Sequence, residues 1–222
     1  MGLKYIYTGY HKCGTKTIAQ AFRILGFKVY DFEENVVHLI HYWKKFFSKK
    51  LSTEDRYQLL YNMYKDVDVA VEGPNLYFWR ELLEVFPEAK VIHYSRPIDS
   101  WYKSYVKQNK EIRQNYKYLP NFFIEGSILF VPTFRAQKVV QKQLSCMMAG
   151  EPAGTWLAPW TSPEDSQNEI GMKRAYRLHN NDVLRGFLEV GISLIFSPEQ
   201  GYLDSFWVEN TSPKIPEEKT RR

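Results

Sequence analysis

Short runs of β-branched and aromatic residues recur along the chain and are separated by segments with helical periodicity. Four of these runs, at 4–8, 28–30, 67–71 and 90–94, predict strands in the first half of the chain. A fifth run lies at 192–196. Strands this short and apolar are typical of a parallel sheet that is buried on both faces.

Helical patterns fill the intervals between the strands. In the first, Ile18, Phe22 and Leu25 lie on one helix face, and Gly26 follows as a stop signal. Further helices are predicted at 35–48, 54–65, 76–86, 97–116 and 168–189. The alternation predicts an α/β fold of three layers, a parallel β-sheet flanked by helices.

Ligands of such sheets bind beyond the carboxyl ends of the strands. That rule selects residues 9–17, 31, 72–75 and 95–104 as candidate site positions. We expect one domain over 1–222.

Two segments depart from the regular alternation. Prolines punctuate 117–166, where only 133–148 has a helical pattern, and we interpret this segment as an insertion that forms a lid, an acceptor-binding region or a plain surface connection. The Pro-, Lys- and Glu-rich tail at 212–222 is expected to be flexible.

Composition narrows the class of ligand. The net charge is +5, but the basic residues are scattered and form no stripe interleaved with aromatics, which argues against nucleic acid. No apolar run approaches the roughly 18 residues of a membrane span. Cys13 and Cys146 offer neither a disulfide framework nor a metal site. We therefore expect a cytoplasmic protein that binds a small anionic ligand without a metal.

The strongest chemical signal is the junction at 5–17, where a strand ends, a glycine-containing loop follows and a helix begins. A helix N-terminus presents unpaired N–H groups and partial positive charge, so it suits a phosphate. Gly14 allows close approach of the backbone, and Thr15 and Thr17 add hydroxyl donors.

The position of lysine in this loop distinguishes two classes of ligand. A nucleoside-triphosphate loop carries lysine directly after its second glycine. Gly9 and Gly14 have the separation of that motif, but Thr15 follows Gly14 and Lys16 comes one place late. Lys12 lies inside the loop instead. The spacing therefore argues against a triphosphate.

The loop resembles the donor loop of sulfotransferases, which reads Pro-Lys-Ser-Gly-Thr-Thr or a related sequence, and in particular that of a broad subfamily with Gly-x-x-[Arg/Lys]-x-Gly-Thr. The matching loop residues are His11, Lys12, Cys13, Gly14, Thr15, Lys16 and Thr17. Further similarities lie at 72–74, 78–83, 86–92, 96–104, 176–180 and 194–197. The resemblance covers about 4–108 and 168–203, and it implies that the three-layer α/β fold has a P-loop-type parallel β-sheet.

This resemblance implies a donor, 3′-phosphoadenosine 5′-phosphosulfate, and an acceptor hydroxyl or amine on a small molecule, with no metal. It implies that the loop from His11 to Thr17 holds the phosphosulfate, and that Arg96 and Ser104 hold the 3′ phosphate. Arg96 follows the fourth strand, and its guanidinium suits phosphate oxygens.

For the reaction, the resemblance implies that Glu72 is the base. Glu72 follows the third strand and is expected to lie opposite the loop at 11–17. Burial is expected to raise the pKa of its carboxyl. Lys12 would stabilise charge on the leaving phosphate. His93 is a second candidate for the base, and Tyr176 with His179 are candidate contacts of the adenine.

Several features leave other functions open. Pro97 directly follows Arg96, one place early, and Tyr30-Asp31-Phe32 replaces the Tyr-His-Met of many subfamily members. A small P-loop nucleotide kinase with Glu72 near magnesium is one alternative, and a non-catalytic nucleotide-binding relative is another. The sequence leaves the acceptor unidentified and a homodimer open.

Overall fold

A computed structural model describes residues 2–47, 51–116, 131–148, 169–190 and 194–196. The described strands are β1 Tyr5–Tyr7, β2 Val29–Tyr30, β3 Val69–Ala70, β4 Lys90–Tyr94 and β5 Leu194–Phe196. They form one sheet in the order β2-β3-β1-β4-β5, and every pairing is parallel. This confirms the predicted α/β fold, with strands one or two residues shorter than predicted at most ends.

Helices connect the strands. They are α1 Thr15–Ile24, α2 at residues 32–46, α3 Thr53–Tyr64, α4 Trp79–Val85, α5 Ile98–Tyr116, α6 Pro132–Met148 and α7 Glu169–Val190. Two details differ from the predicted pattern. The middle of α2, Asn35–Leu39, is a π-helical turn. The helix predicted at 76–86 is shorter, since α4 begins at Trp79, and a 3₁₀ turn at Gly73–Leu76 precedes it.

Alternation along β1 separates two cores. Ile6 pairs with Ala70 and Val91, and these three side chains face the larger core, which α2, α3, α4 and α6 cover. The next residue, Tyr7, points to the opposite face and packs with Ala19 of α1. Because successive strand side chains point to opposite faces, helices on both sides make three layers.

Local signals explain where several helices begin and end. Ser52 caps α3, since its hydroxyl accepts a hydrogen bond from the Asp55 N–H at 3.1 Å. Gly26, with φ of 83°, follows the last turn of α1, as the sequence predicted.

The described part of the predicted insertion is α6. It packs against α2, and Ala136 and Val140 are buried in the larger core. The flanking residues 117–130 and 149–168, and the tail after 196, lie outside the described residues. Among the helices that the structure describes, none is long and apolar enough to cross a membrane.

Candidate active site

Three segments meet at one edge of the sheet because β3, β1 and β4 are parallel neighbours. They are the loop at 8–14 after β1, the turn at 71–76 after β3, and the segment at 95–104 after β4. The sequence rule for ligand position selected all three.

The loop after β1 packs over the side chain of Tyr7 and is hydrogen-bonded to it. This side chain is fully buried, and its hydroxyl donates a hydrogen bond to the Cys13 carbonyl. A Cβ at Gly9 would collide with the same hydroxyl, so the glycine allows the loop to pass over the ring. Lys12 (φ 68°) and Gly14 (φ 74°) both take left-handed conformations, and they turn the chain into α1.

The N-terminus of α1 is open to an anion. Its N-cap is the exposed Gly14, which offers no side-chain cap, and the first turn contains no acidic residue. The first-turn N–H groups have no partner within a helix, so their partial positive charge faces the loop. Thr17 is exposed beside them, while Thr15 is buried.

The two loop lysines differ in exposure. Lys16 places its ammonium 2.9 Å from Glu33 Oε1 on α2, with 70% of the side chain exposed. This ion pair raises the pKa of Lys16, against a small opposing effect of burial. Lys12 is half-buried in the loop itself. The Lys16 ammonium is thus engaged by Glu33 of α2, whereas Lys12 belongs to the loop between β1 and α1.

The segment after β4 holds the loop through main-chain carbonyls. Arg96 Nη1 donates to the Lys12 carbonyl at 3.0 Å, and Nη2 donates to Ser100 Oγ at 2.7 Å. Trp101 Nε1 donates to the His11 carbonyl at 2.8 Å. Ser104, which was predicted to hold the 3′ phosphate together with Arg96, is half-buried and lies one turn after Ser100. The serine hydroxyl that Arg96 contacts in the structure is that of Ser100.

Tyr176 of α7 joins these two segments. Its hydroxyl accepts from the Arg96 N–H at 2.9 Å and donates to the Arg96 carbonyl at 2.8 Å. The same oxygen lies 3.6 Å from Cys13 Sγ, and the ring stacks on Trp101 with centroids 4.4 Å apart. Burial raises the pKa of Cys13 to about 11, so this thiol packs rather than reacts.

Glu72, after β3, has an unusual backbone conformation. Its φ of 60° and ψ of 171° fall in a region that essentially only glycine adopts. Its carboxylate accepts a hydrogen bond from His11 Nδ1 at 3.3 Å, and the nearby Thr15 hydroxyl also acts to lower its pKa. The side chains of Glu72 and His11 are 17% and 13% exposed. The turn after β3 thus contacts the loop directly.

The ionisation of Glu72 differs from the expectation. Burial alone acts to raise the pKa, as predicted, but the hydrogen bonds from His11 and Thr15 act against it and the net pKa is lowered. The raised pKa expected from the sequence was therefore wrong. Glu72 is a carboxylate at neutral pH.

His93, the second candidate for the base, lies on β4 and is 1% exposed. Burial, with the neighbouring His179, lowers its pKa to about 3, and its Nδ1 lies 3.1 Å from Thr8 Oγ1. His179 places Nε2 2.7 Å from the Thr8 carbonyl. An enclosed imidazole with so low a pKa binds a proton weakly and is out of reach of an acceptor, which argues against His93 as the base. For the candidate adenine contacts, the Tyr176 hydroxyl and His179 Nε2 are engaged within the protein.

Asp31 occupies the place where the subfamily has histidine. It caps α2 by accepting from the Glu33 N–H at 2.9 Å and forms an ion pair with Arg23 at 3.2 Å. Across the described ranges there is no group of three or more His, Cys, Asp or Glu side chains that could hold a metal ion.

Sequence reasoning missed the contact between His11 and Glu72, because it assigned His11 to the donor alone. The signal was the histidine itself, since it stands where the sulfotransferase loop has proline. It also missed Asn35, whose amide donates to the Glu72 carbonyl at 3.4 Å.

The chain is similar in sequence to one protein family and in structure to a solved kinase. A sequence model described as "Sulfotransferase domain" matches residues 4–204. No curated protein matches the chain. A solved shikimate kinase from Bacteroides thetaiotaomicron aligns at 13% identity over 83% of this chain and 99% of its own, with a TM-score of 0.36, which is too low to support an argument. Because the family match spans most of its length, the chain belongs to the sulfotransferase domain family and is an enzyme that transfers sulfuryl groups.

Proposed function

We propose that this protein transfers a sulfuryl group from 3′-phosphoadenosine 5′-phosphosulfate to a hydroxyl or amine of a small acceptor. One observation carries the proposal. The loop that contains Lys12 leads directly into the open N-terminus of α1, and its Lys12 carbonyl accepts a hydrogen bond from the Arg96 guanidinium, so one loop adjoins two anion-binding groups. A donor with separate 5′ and 3′ phosphates requires such a pair.

The residues present fit this donor, whose bound form supplies an activated sulfuryl group. The first-turn N–H groups of α1, with Lys12 and Thr17, would hold the 5′ phosphosulfate. The remaining loop residues, His11, Cys13, Gly14, Thr15 and Lys16, shape or flank that cradle. Arg96, with Ser104, would hold the 3′ phosphate through charge-assisted hydrogen bonds.

Glu72 would act as the base. A carboxylate that is ionised at neutral pH is ready to accept the proton of the acceptor hydroxyl as its oxygen attacks sulfur. A new O–S bond forms, the S–O bond to the 5′ phosphate breaks, and the proton passes to Glu72. The Lys12 ammonium would neutralise charge that develops on the leaving phosphate oxygen.

The setting that we propose is cytosolic, with a small acceptor and no metal. Two observations support it. Cys13 and Cys146 are free, buried thiols, as is usual in a reducing compartment. The open helix end and Lys12 supply positive charge at the loop, which in many nucleotide enzymes a magnesium ion provides.

Calorimetric titration with 3′,5′-adenosine bisphosphate tests the donor site. We expect binding that does not depend on magnesium and is about 10- to 100-fold tighter than for adenosine 5′-monophosphate, because the 3′ phosphate adds charge-assisted bonds. Adenosine 5′-monophosphate is the matched control ligand, since it lacks only that phosphate. Absence of bisphosphate binding, or magnesium-dependent consumption of ATP, would contradict the proposal.

A further inference from the structure

The strained backbone of Glu72 needs an explanation, because such a conformation persists only where the surroundings enforce it. Asn35 contacts Glu72 through a hydrogen bond to the Glu72 carbonyl. It is the first residue of the π-helical turn in α2. It is 3% exposed. Single π turns inside α-helices occur frequently at functional sites.

The Asn35 amide is hydrogen-bonded on both sides. Nδ2 donates to the Asp31 carbonyl at 2.7 Å and to the Glu72 carbonyl at 3.4 Å. Oδ1 accepts from Trp43 Nε1 at 2.9 Å and from the Tyr64 hydroxyl at 3.3 Å. The accepted bonds connect Asn35 to the larger core, and the donated bonds connect it to the sheet edge.

Steric contact accompanies these bonds. A Cβ on Gly73 would lie 3.1 Å from Asn35 Cγ, and Gly73 has φ of 83°. The glycine therefore lets the turn after β3 rest directly on the amide. Main chain on one side and His11 on the other then confine Glu72 from two directions.

We propose that Asn35 is a positioning residue that holds Glu72 in its left-handed conformation and thereby places the carboxylate against His11 and Thr15. The catalytic importance of that placement rests on the proposed role of Glu72 as the base. Without the donated bonds, the backbone at 72 would relax toward an ordinary extended conformation. The carboxylate would then leave the two donors that lower its pKa.

A purely structural role is the competing explanation, since Asn35 also satisfies Trp43 and Tyr64. The two roles separate in a Trp43→Phe/Tyr64→Phe background, which removes both accepted bonds and leaves the donated ones. Adding Asn35→Leu, a change of similar shape, then removes only the donated bonds. This order also avoids leaving buried donors without partners, which costs about 1–3 kcal/mol each.

The readout is the pKa of the Glu72 carboxyl, followed by ¹³C NMR titration and assigned with Glu72→Gln. We expect the double variant to keep the lowered pKa and the triple variant to show a pKa that returns to or above the usual value for glutamate. Burial without the His11 and Thr15 bonds would account for that rise. An identical pKa in the two variants would overturn the positioning role.

A second measurement is kinetic. With any acceptor that the wild type sulfates, the triple variant should lose about tenfold or more in kcat relative to the double variant, while affinity for 3′,5′-adenosine bisphosphate stays the same. Equal kcat in both would also overturn the inference. The titration needs no donor or acceptor, so it decides the role of Asn35 even if the bisphosphate fails to bind and the proposed function falls.

Discussion

The loop after β1 and the turn after β3 each contain one non-glycine residue with positive φ, but the hydrogen bonds around these two residues differ. Lys12 and Glu72 are the described non-glycine residues with positive φ, at 68° and 60°. Around Lys12 the anchors are main-chain carbonyls, held by Tyr7, Arg96 and Trp101. Around Glu72 both the main chain and the carboxylate are anchored.

This difference matches the two tasks of the proposed reaction. An anion needs a rigid cradle of N–H groups, together with a cation that can adjust to it, and the loop leaves the Lys12 ammonium unconstrained by its backbone anchors. A proton acceptor needs an accurate position, since proton transfer requires hydrogen-bonding distance in the productive complex. Glu72 has its position fixed at both ends.

The largest expected effect is a loss of reaction rate that leaves nucleotide binding intact, which would separate the turn after β3 from the loop after β1. Glu72→Gln should lower the rate of sulfuryl transfer at saturating donor by about 10²- to 10⁴-fold, because the amide cannot accept the proton. Affinity for 3′,5′-adenosine bisphosphate should change little. Transfer assays and calorimetry on the same preparation provide the two values. A comparable loss of nucleotide affinity would show that the turn belongs to the binding site.

The next effect concerns the loop side. Arg96→Met should weaken bisphosphate binding about 10- to 100-fold, through loss of charge-assisted bonds and of the anchor on the Lys12 carbonyl. Ser100→Ala is the matched control, since it removes the other partner of the guanidinium and keeps the charge. Calorimetric titration of both variants is the measurement, and equal losses would contradict a direct role for Arg96.

The smallest effect is on stability. Glu72→Gly should be more stable than Glu72→Ala by about 1–2 kcal/mol, because alanine keeps the strained backbone and glycine does not. Both changes remove the carboxylate, so its lost contacts cancel in the comparison. Urea denaturation of the two variants gives the difference.

The control for that comparison is Gln58, an exposed position within α3. There, glycine should be less stable than alanine by about 1 kcal/mol. The same order at position 72 would mean that the backbone of Glu72 carries no strain.

Most of the fold could be predicted from the sequence because its signals are local. β4 was predicted to the residue at 90–94, and Gly26 was correctly predicted to follow the end of α1. The loop and Arg96 were placed at the ligand edge by strand order and motif spacing alone. Neither inference needs the orientation of a side chain.

What the sequence missed depends on orientation after packing. His11 and Glu72 are 61 positions apart, and Asn35 and Glu72 are 37 apart, so no periodicity reports these contacts. Lys16 fits the loop motif, yet its ammonium pairs with Glu33. The lowered pKa of Glu72 likewise follows from donors that only the folded chain brings together.

The contacts of the Tyr176 hydroxyl form late during synthesis, because Tyr176 lies far along the chain from Cys13 and Arg96. Residues up to 116 supply β1 to β4, the loop and Arg96, and they emerge from the ribosome first. Arg96 and Cys13 gain their shared partner only when α7 follows, after the whole intervening segment has been made. Strands β1 to β4 are therefore synthesised before the residue that joins Arg96 to Cys13, and the proposed site is complete only once α7 has been made.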